Sequence, residues 1–248
     1  MVSIISGSKH MLFNKIEYFF VALLLLAVTG FWNTYFSKLF GGIGNIPRFS
    51  EIDSYTHFHA VTMLLWIAML ITQAFLIKFH KHHLHKIIGK LSYLLFSVLV
   101  VSLILLSHSK ITIYEYGISY SRLYILFLQL SLLSIFMLAY FLAIANRHTP
   151  VRHARYMICT ALTMIDPAVA RLPIDLPSIP FSYQVWTFGI TDMILIVLIF
   201  MERNQNKGRE VFPIMLLIFL FSQGLNLSST RSLIWDDFSM WFATLPLT

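Results

Sequence analysis

SYTHFHAVTMLLWIAMLITQAFLI, residues 54–77, runs for 24 residues without an Asp, Glu, Lys or Arg. As a helix it would extend about 36 Å, more than the roughly 30 Å hydrocarbon core of a bilayer. The pattern recurs along the chain and predicts spans at about 16–37, 55–77, 88–109, 121–146, 154–172, 182–202 and 211–229. The connections are short, with no Gly/Ser linker, so residues 1–248 read as a single transmembrane domain. The expected fold class is all-α: a polytopic membrane protein with a bundle of about seven transmembrane helices.

Composition agrees. Hydrophobic residues make up 58% of the chain and charged residues 12%, with a mean hydropathy of +0.75. Soluble domains carry about a quarter charged residues, so lipid must solvate much of this surface. The net charge of +7 does not point to nucleic acid, because the cations lie in short clusters between apolar runs rather than on a solvated face. They report topology instead. Lys9, Lys15, Lys78, Lys81, Lys86, Lys90, Arg147, Arg152, Arg155, Arg203, Lys207 and Arg209 share one side of a seven-span arrangement, 12 of the 18 Lys and Arg. The positive-inside rule makes that side cytoplasmic, with the N-terminus inside and the C-terminus outside. The tail at 231–248 is too short and too charged to span; Trp235 and Trp241 suit an interfacial helix. The bilayer is the expected partner. A bacterial inner membrane is the expected location, no nucleic acid is expected, and nothing in the chain names a protein partner. The lone Cys159 sits in an apolar run and reads as a buried, inert thiol.

The chain has ten histidines. His57 and His59 open the second span, and His80, His82, His83 and His85 fill the loop before the third. His108 closes the third, and His148 and His153 flank the start of the fifth. Neutral imidazole is the commonest protein metal ligand. His57, His59, His85 and His153 are therefore candidate metal ligands, and with His108 they are candidate cofactor ligands. The competing reading is a set of polar helix ends beside headgroups. On the second helix His59, Thr62, Trp66 and Gln73 share one side and are expected to face the bundle interior, since a polar stripe in hydrocarbon is costly. Lys86 and Arg155, beside His85 and near His153, are candidates for contact with lipid phosphates.

Gln73, Asp166, Arg171 and Asp192 are the candidate polar interior. Pro167 removes a backbone donor and crowds the carbonyl of Thr163, so a kink is expected there. At 1.5 Å per residue Asp192 lies roughly 14 Å, and Asp166 roughly 9 Å, from the outer face. Intramembrane ionisable groups are functional candidates. The alternative is that each aspartate is paired with Arg171 or hydrogen-bonded to Thr163 or Thr191.

HFHAVTMLLWIAMLITQ, then LHKIIGKL, then RHARYMICTALTMIDPAVARLP resembles a family of uncharacterised bacterial multi-pass membrane proteins over residues 50 to 175. His57, His59, Trp66 and Gln73 match its H-x-H…W…Q element. His85 and Gly89 match its LHRxLG element, with Lys86 in place of the usual Arg. His153, Arg155 and Met157 match its HxRxM element, and Arg171 its closing Arg. That resemblance implies a membrane fold and no activity. A more distant similarity, to transmembrane b-type cytochromes, implies haem held between helices, with His85 and His153 at one face and His57 or His59 with His108 at the other.

Three functions follow as expectations. The first is histidine-based binding of haem b or a transition metal, with a redox or assembly role. The second is a proton-coupled small-molecule transporter or sensor using Asp166, Arg171 and Asp192. The third is a purely structural membrane subunit. Whether the chain is an enzyme is left open.

Overall fold

The computed structural model describes residues 15–40, 52–111, 113, 117–175, 177, 182–230 and 232–248. Lys9, used above in reading charge, lies outside them. The described chain is dominated by helix: α1 (Ile16–Gly30), a π-helical segment (Trp32–Phe36), α2 (Ser37–Phe40), α3 (Ser54–Lys78), α4 (His82–Ser109), α5 (Tyr120–Ala145), α6 (Pro150–Leu162), α7 (Ile165–Val169), α8 (Ser182–Glu202), α9 (Val211–Ser229) and α10 (Leu233–Ala243). Five of these, α3, α4, α5, α8 and α9, are long and apolar enough to cross a membrane. A sixth is added if α1 and the helical stretch after it, bent by 55°, count as one span.

Large apolar side chains cover the outside. Leu94, Val185, Leu217 and Phe221 are each about 70% exposed. In water that surface would drive aggregation; in lipid it is matched to its solvent.

The expected first span, 16–37, is broken where α1 passes into the π-helical segment at Phe31–Phe36. The expected third span begins six residues earlier than the apolar run, at His82. His82, His83 and His85 are therefore in the first turn of α4 rather than in a loop. Only Phe79, His80 and Lys81 connect α3 to α4, with His80 at φ 57° making the turn.

The expected fifth span is two helices, α6 and α7, separated by Thr163 and Met164. Pro167 cannot supply the N–H that Thr163's carbonyl would take in a continuous helix. Thr160 and Thr163 turn their hydroxyls back onto the carbonyls of Met157 (2.7 Å) and Thr160 (2.8 Å), which bends helices further. This broken segment is the centre of the bundle. Nearly every residue from Arg155 to Val169 is buried, packed by α5 and α9 on α6 and by α1 and α8 on α7. Irregular backbone is tolerated at membrane depth only where protein shields it from lipid. Gly30 shows how close the packing is: a Cβ there would overlap the Ala168 carbonyl of α7.

Polar contacts define two ends of the bundle. At one, Glu17 pairs with Lys78, Arg152 with Glu210 (2.7 Å) and Arg155 with Glu202. Arg155 also donates to the Lys207 carbonyl at 2.7 Å. Its guanidinium fits under Gly208, whose φ of +76° and missing side chain make the room. Arg155 is completely buried. The expectation that it meets lipid phosphates is overturned: its charge is committed to Glu202. At the other end Asp53 caps α3 through Thr56 (2.9 Å) and pairs with Lys110. Partial burial opposes the charge of Asp53, but the hydrogen bonds from Lys110 and Thr56 outweigh it and hold its carboxyl down at about 2. Glu210 is likewise held below the usual range, by backbone hydrogen bonding and by Arg152.

Candidate functional site

The second helix presents the side expected of it. Trp66 is fully buried between Phe136 (centroids 5.0 Å) and Tyr140 (5.6 Å). His59 Nδ1 meets Ser102 Oγ at 3.0 Å, and Thr62 meets the same hydroxyl at 2.9 Å, joining α3 to α4. Gln73, one helix end further on, spans to the start of α4. With its NH₂ on His85 Nδ1, its oxygen takes the Gly89 N–H at 3.1 Å.

The candidate histidines separate into different settings. His57 Nδ1 meets the Tyr35 hydroxyl at 3.1 Å. His108 Nδ1 meets Thr248 Oγ1 at 2.6 Å and its ring packs edge-on to Phe242 of α10. It lies about 9 Å further along α4 than Ser102, the partner of His59. The polar ends of the tail thus dock on His108, while Trp235 Nε1 donates to the Leu123 carbonyl of α5 at 3.0 Å. His85 and His153 lie within electrostatic reach of each other. His153 Nδ1 sits 2.8 Å from the Ala143 carbonyl. A carbonyl can only accept, so Nδ1 carries the proton and Nε2 is left with its lone pair. Among the described residues no group of three or more His, Cys, Asp or Glu side chains is placed to hold a metal. Cys159 is fully buried.

The aspartates form the other constellation. Asp166, in the first turn of α7, is 2% exposed and accepts a hydrogen bond from Thr191 of α8 on Oδ1. Its Oδ2 has no hydrogen-bond partner among the described residues. Asp192, one residue on from Thr191, accepts from Gln223 Nε2 of α9 at 3.1 Å. Among the described residues neither carboxylate has a basic partner. Arg171 donates instead to the Pro167 carbonyl (2.7 Å) and stacks on Phe31 (4.5 Å).

Asp166 lines a small cavity of roughly 10 Å³, room for about one water. α5 contributes Leu128, Ser131, Leu132 and Ile135 to its wall, α8 contributes Phe188, and α9 contributes Phe219, Ser222, Gln223 and Asn226. Asn226, also buried, turns Nδ2 toward the Tyr124 carbonyl (3.4 Å), and its Oδ1 is a second partnerless acceptor. Sequence reasoning singled out Asp166 and Asp192 but missed Asn226, Gln223 and Ser131. The available signal was polar residues spaced three apart, Gln223 and Asn226, on the largely apolar α9.

Fold and site together fit a multi-pass α-helical membrane protein whose ionisable groups gather on a broken central helix. No protein-family model, curated protein or solved structure matches the chain.

Proposed function

We propose that this is a seven-span protein of the bacterial inner membrane that moves a small solute in step with protons loaded and released at Asp166 and Asp192. The observation that carries this is the position of Asp166: buried at the break of a lipid-shielded helix, with one carboxyl oxygen unpartnered and a second carboxylate one helix away. A lone carboxylate charge in so dry a place is expensive, so it calls for a proton or another cation. Broken helices at mid-membrane are where transporters seat their coupling ions.

The end-to-end contacts support seven traversals. α6 starts among Glu202 and Glu210, and α7 ends where Arg171 stacks on Phe31. Its 20 residues, 150–169, extend about 30 Å, enough to cross despite the break. The basic asymmetry supports an N-terminus in the cytoplasm.

The test uses the protein in liposomes with an internal pH-sensitive dye, challenged with a panel of amino acids, carboxylates and sugars. At least one solute should evoke proton movement in the wild type, and D166N and D192N should each lose it. A panel that evokes nothing, or a signal that survives in both variants, overturns the reading.

A second reading rests on His85 and His153. Metal-bound imidazoles commonly donate their other N–H to a backbone carbonyl, as His153 does to Ala143. In this reading Gln73 turns its amide oxygen to accept from His85 Nδ1–H, which frees His85 Nε2, and the pair holds haem b or a transition metal at the cytoplasmic end. Purified protein should then show a Soret band or stoichiometric metal, lost in H153A. Protein with neither removes this reading.

A further inference from the structure

We infer that the cavity between α5, α7, α8 and α9 is a sodium site, with Asp166 Oδ2 and Asn226 Oδ1 as its principal ligands. The inference rests on the reading of Asp166 above and names the ion that competes with the proton there.

Asn226, Gln223 and Ser131, three of the polar groups around the cavity, have donors turned elsewhere. Thr191 occupies the other oxygen of Asp166. The Asn226 amide nitrogen is directed at the Tyr124 carbonyl, and that of Gln223 at Asp192. Ser131 donates to the Leu128 carbonyl at 3.0 Å, so only lone pairs remain to it. The cavity is therefore lined by acceptor-bearing residues from α5, α7 and α9, and two of their oxygens, Asp166 Oδ2 and Asn226 Oδ1, are fully buried and without a hydrogen-bond partner among the described residues. Acceptors converging on one point repel each other unless a cation lies among them. Carboxylate, amide and hydroxyl oxygens are ligands for a hard cation, not for a soft one.

Charge and size narrow the choice. Asp166 supplies one negative charge with no basic partner among the described residues, which a monovalent ion neutralises. A carboxylate oxygen is a strong-field ligand, which favours the smaller sodium over potassium in a space for about one water. Ser131 is about 16 Å along α5 from Tyr120, which puts the ion well inside the membrane.

The experiment measures the melting temperature of the purified protein against NaCl, with choline chloride and KCl at matched ionic strength. Sodium should raise the melting temperature in a saturable way, by mass action on the folded state, and choline and potassium should not. N226A should raise the half-saturating sodium concentration by about tenfold or more, and D166N should abolish the response. If D166N fails to fold, N226A and S131A carry the test by themselves. Equal effects of sodium and choline would mean a bound water only and would overturn the site. So would a sodium-specific response unchanged in N226A. A sodium response without solute-evoked proton movement sinks the transport reading alone, and proton movement without a sodium response sinks this site alone.

Discussion

Asp53 is the residue whose role is easiest to isolate. Its carboxylate does two jobs, capping α3 through the Thr56 N–H and pairing with Lys110. D53A should lower stability by about 1 kcal/mol, the usual size of a lost N-cap. D53S keeps a capping oxygen and should lose less, because an ion pair this exposed contributes little. The pH dependence has a definite sign. The folded carboxyl is held at about 2, below the roughly 3.9 of an unfolded aspartate. Its contribution is therefore complete above pH ~4 and lost as pH falls from there toward 2. Thermal melts of wild type and D53A should converge across that window; a difference that stays constant down to pH 2 would refute the assignment. Arg155 is the opposite case, fully buried against Glu202. R155A leaves a buried carboxylate without its cation and should cost roughly 3–5 kcal/mol. R155A/E202A should recover part of that loss, and a double variant no more stable than the single would show that the two residues do not act as a pair.

Among the elements, the broken α6–α7 segment determines the most. It is short, polar in places and bent, yet it is largely buried because α1, α5, α8 and α9 each cover a part of it. Gly30 of α1 is one of the contacts that hold α7 in place. G30A puts a methyl group against the Ala168 carbonyl and should destabilise by about 1–3 kcal/mol, the range for overpacking a filled interior. Because α7 carries Asp166, the same substitution should weaken the sodium-dependent rise in melting temperature more than G224A does. Gly224 has open space where its Cβ would go. Equal melting temperatures for G30A and G224A would show that α1 does not brace α7. The tail is the other element with a specific attachment: Ser232 starts α10, and Trp235 and Thr248 fasten it to α5 and α4.

At the scale of the whole molecule, topology is the property to test first. Reporter fusions at Gln205 and after Thr248 should fall in opposite compartments, Gln205 in the cytoplasm, if the chain crosses seven times. The same compartment for both would mean that α6–α7 does not traverse. Much of this architecture was legible along the chain. The spans of α3, α5, α8 and α9 can be placed to within about a residue, because a helix in lipid must be apolar for its whole crossing, a constraint that acts locally. The break near Pro167 was legible for the same reason, since the missing N–H is a property of the residue itself. The burial of Trp66 and the inward stripe of α3 followed from helical periodicity. Helix partners, by contrast, depend on which faces meet. Arg155 reads as a headgroup contact until the loop at Gly208 folds over it and Glu202 reaches it from α8. Asp166 and Asp192 could have met Arg171, but the stagger of α7 against α8 and α9 gave them Thr191 and Gln223 instead. Asn226, 60 residues beyond Asp166, joins the same cavity only once α9 packs against α5 and α8. What the chain alone determined is where lipid is the solvent, because that depends on each segment's own transfer free energy. What tertiary structure decided is which polar groups share the few dry places inside, because that depends on the relative rotation and depth of helices far apart in sequence.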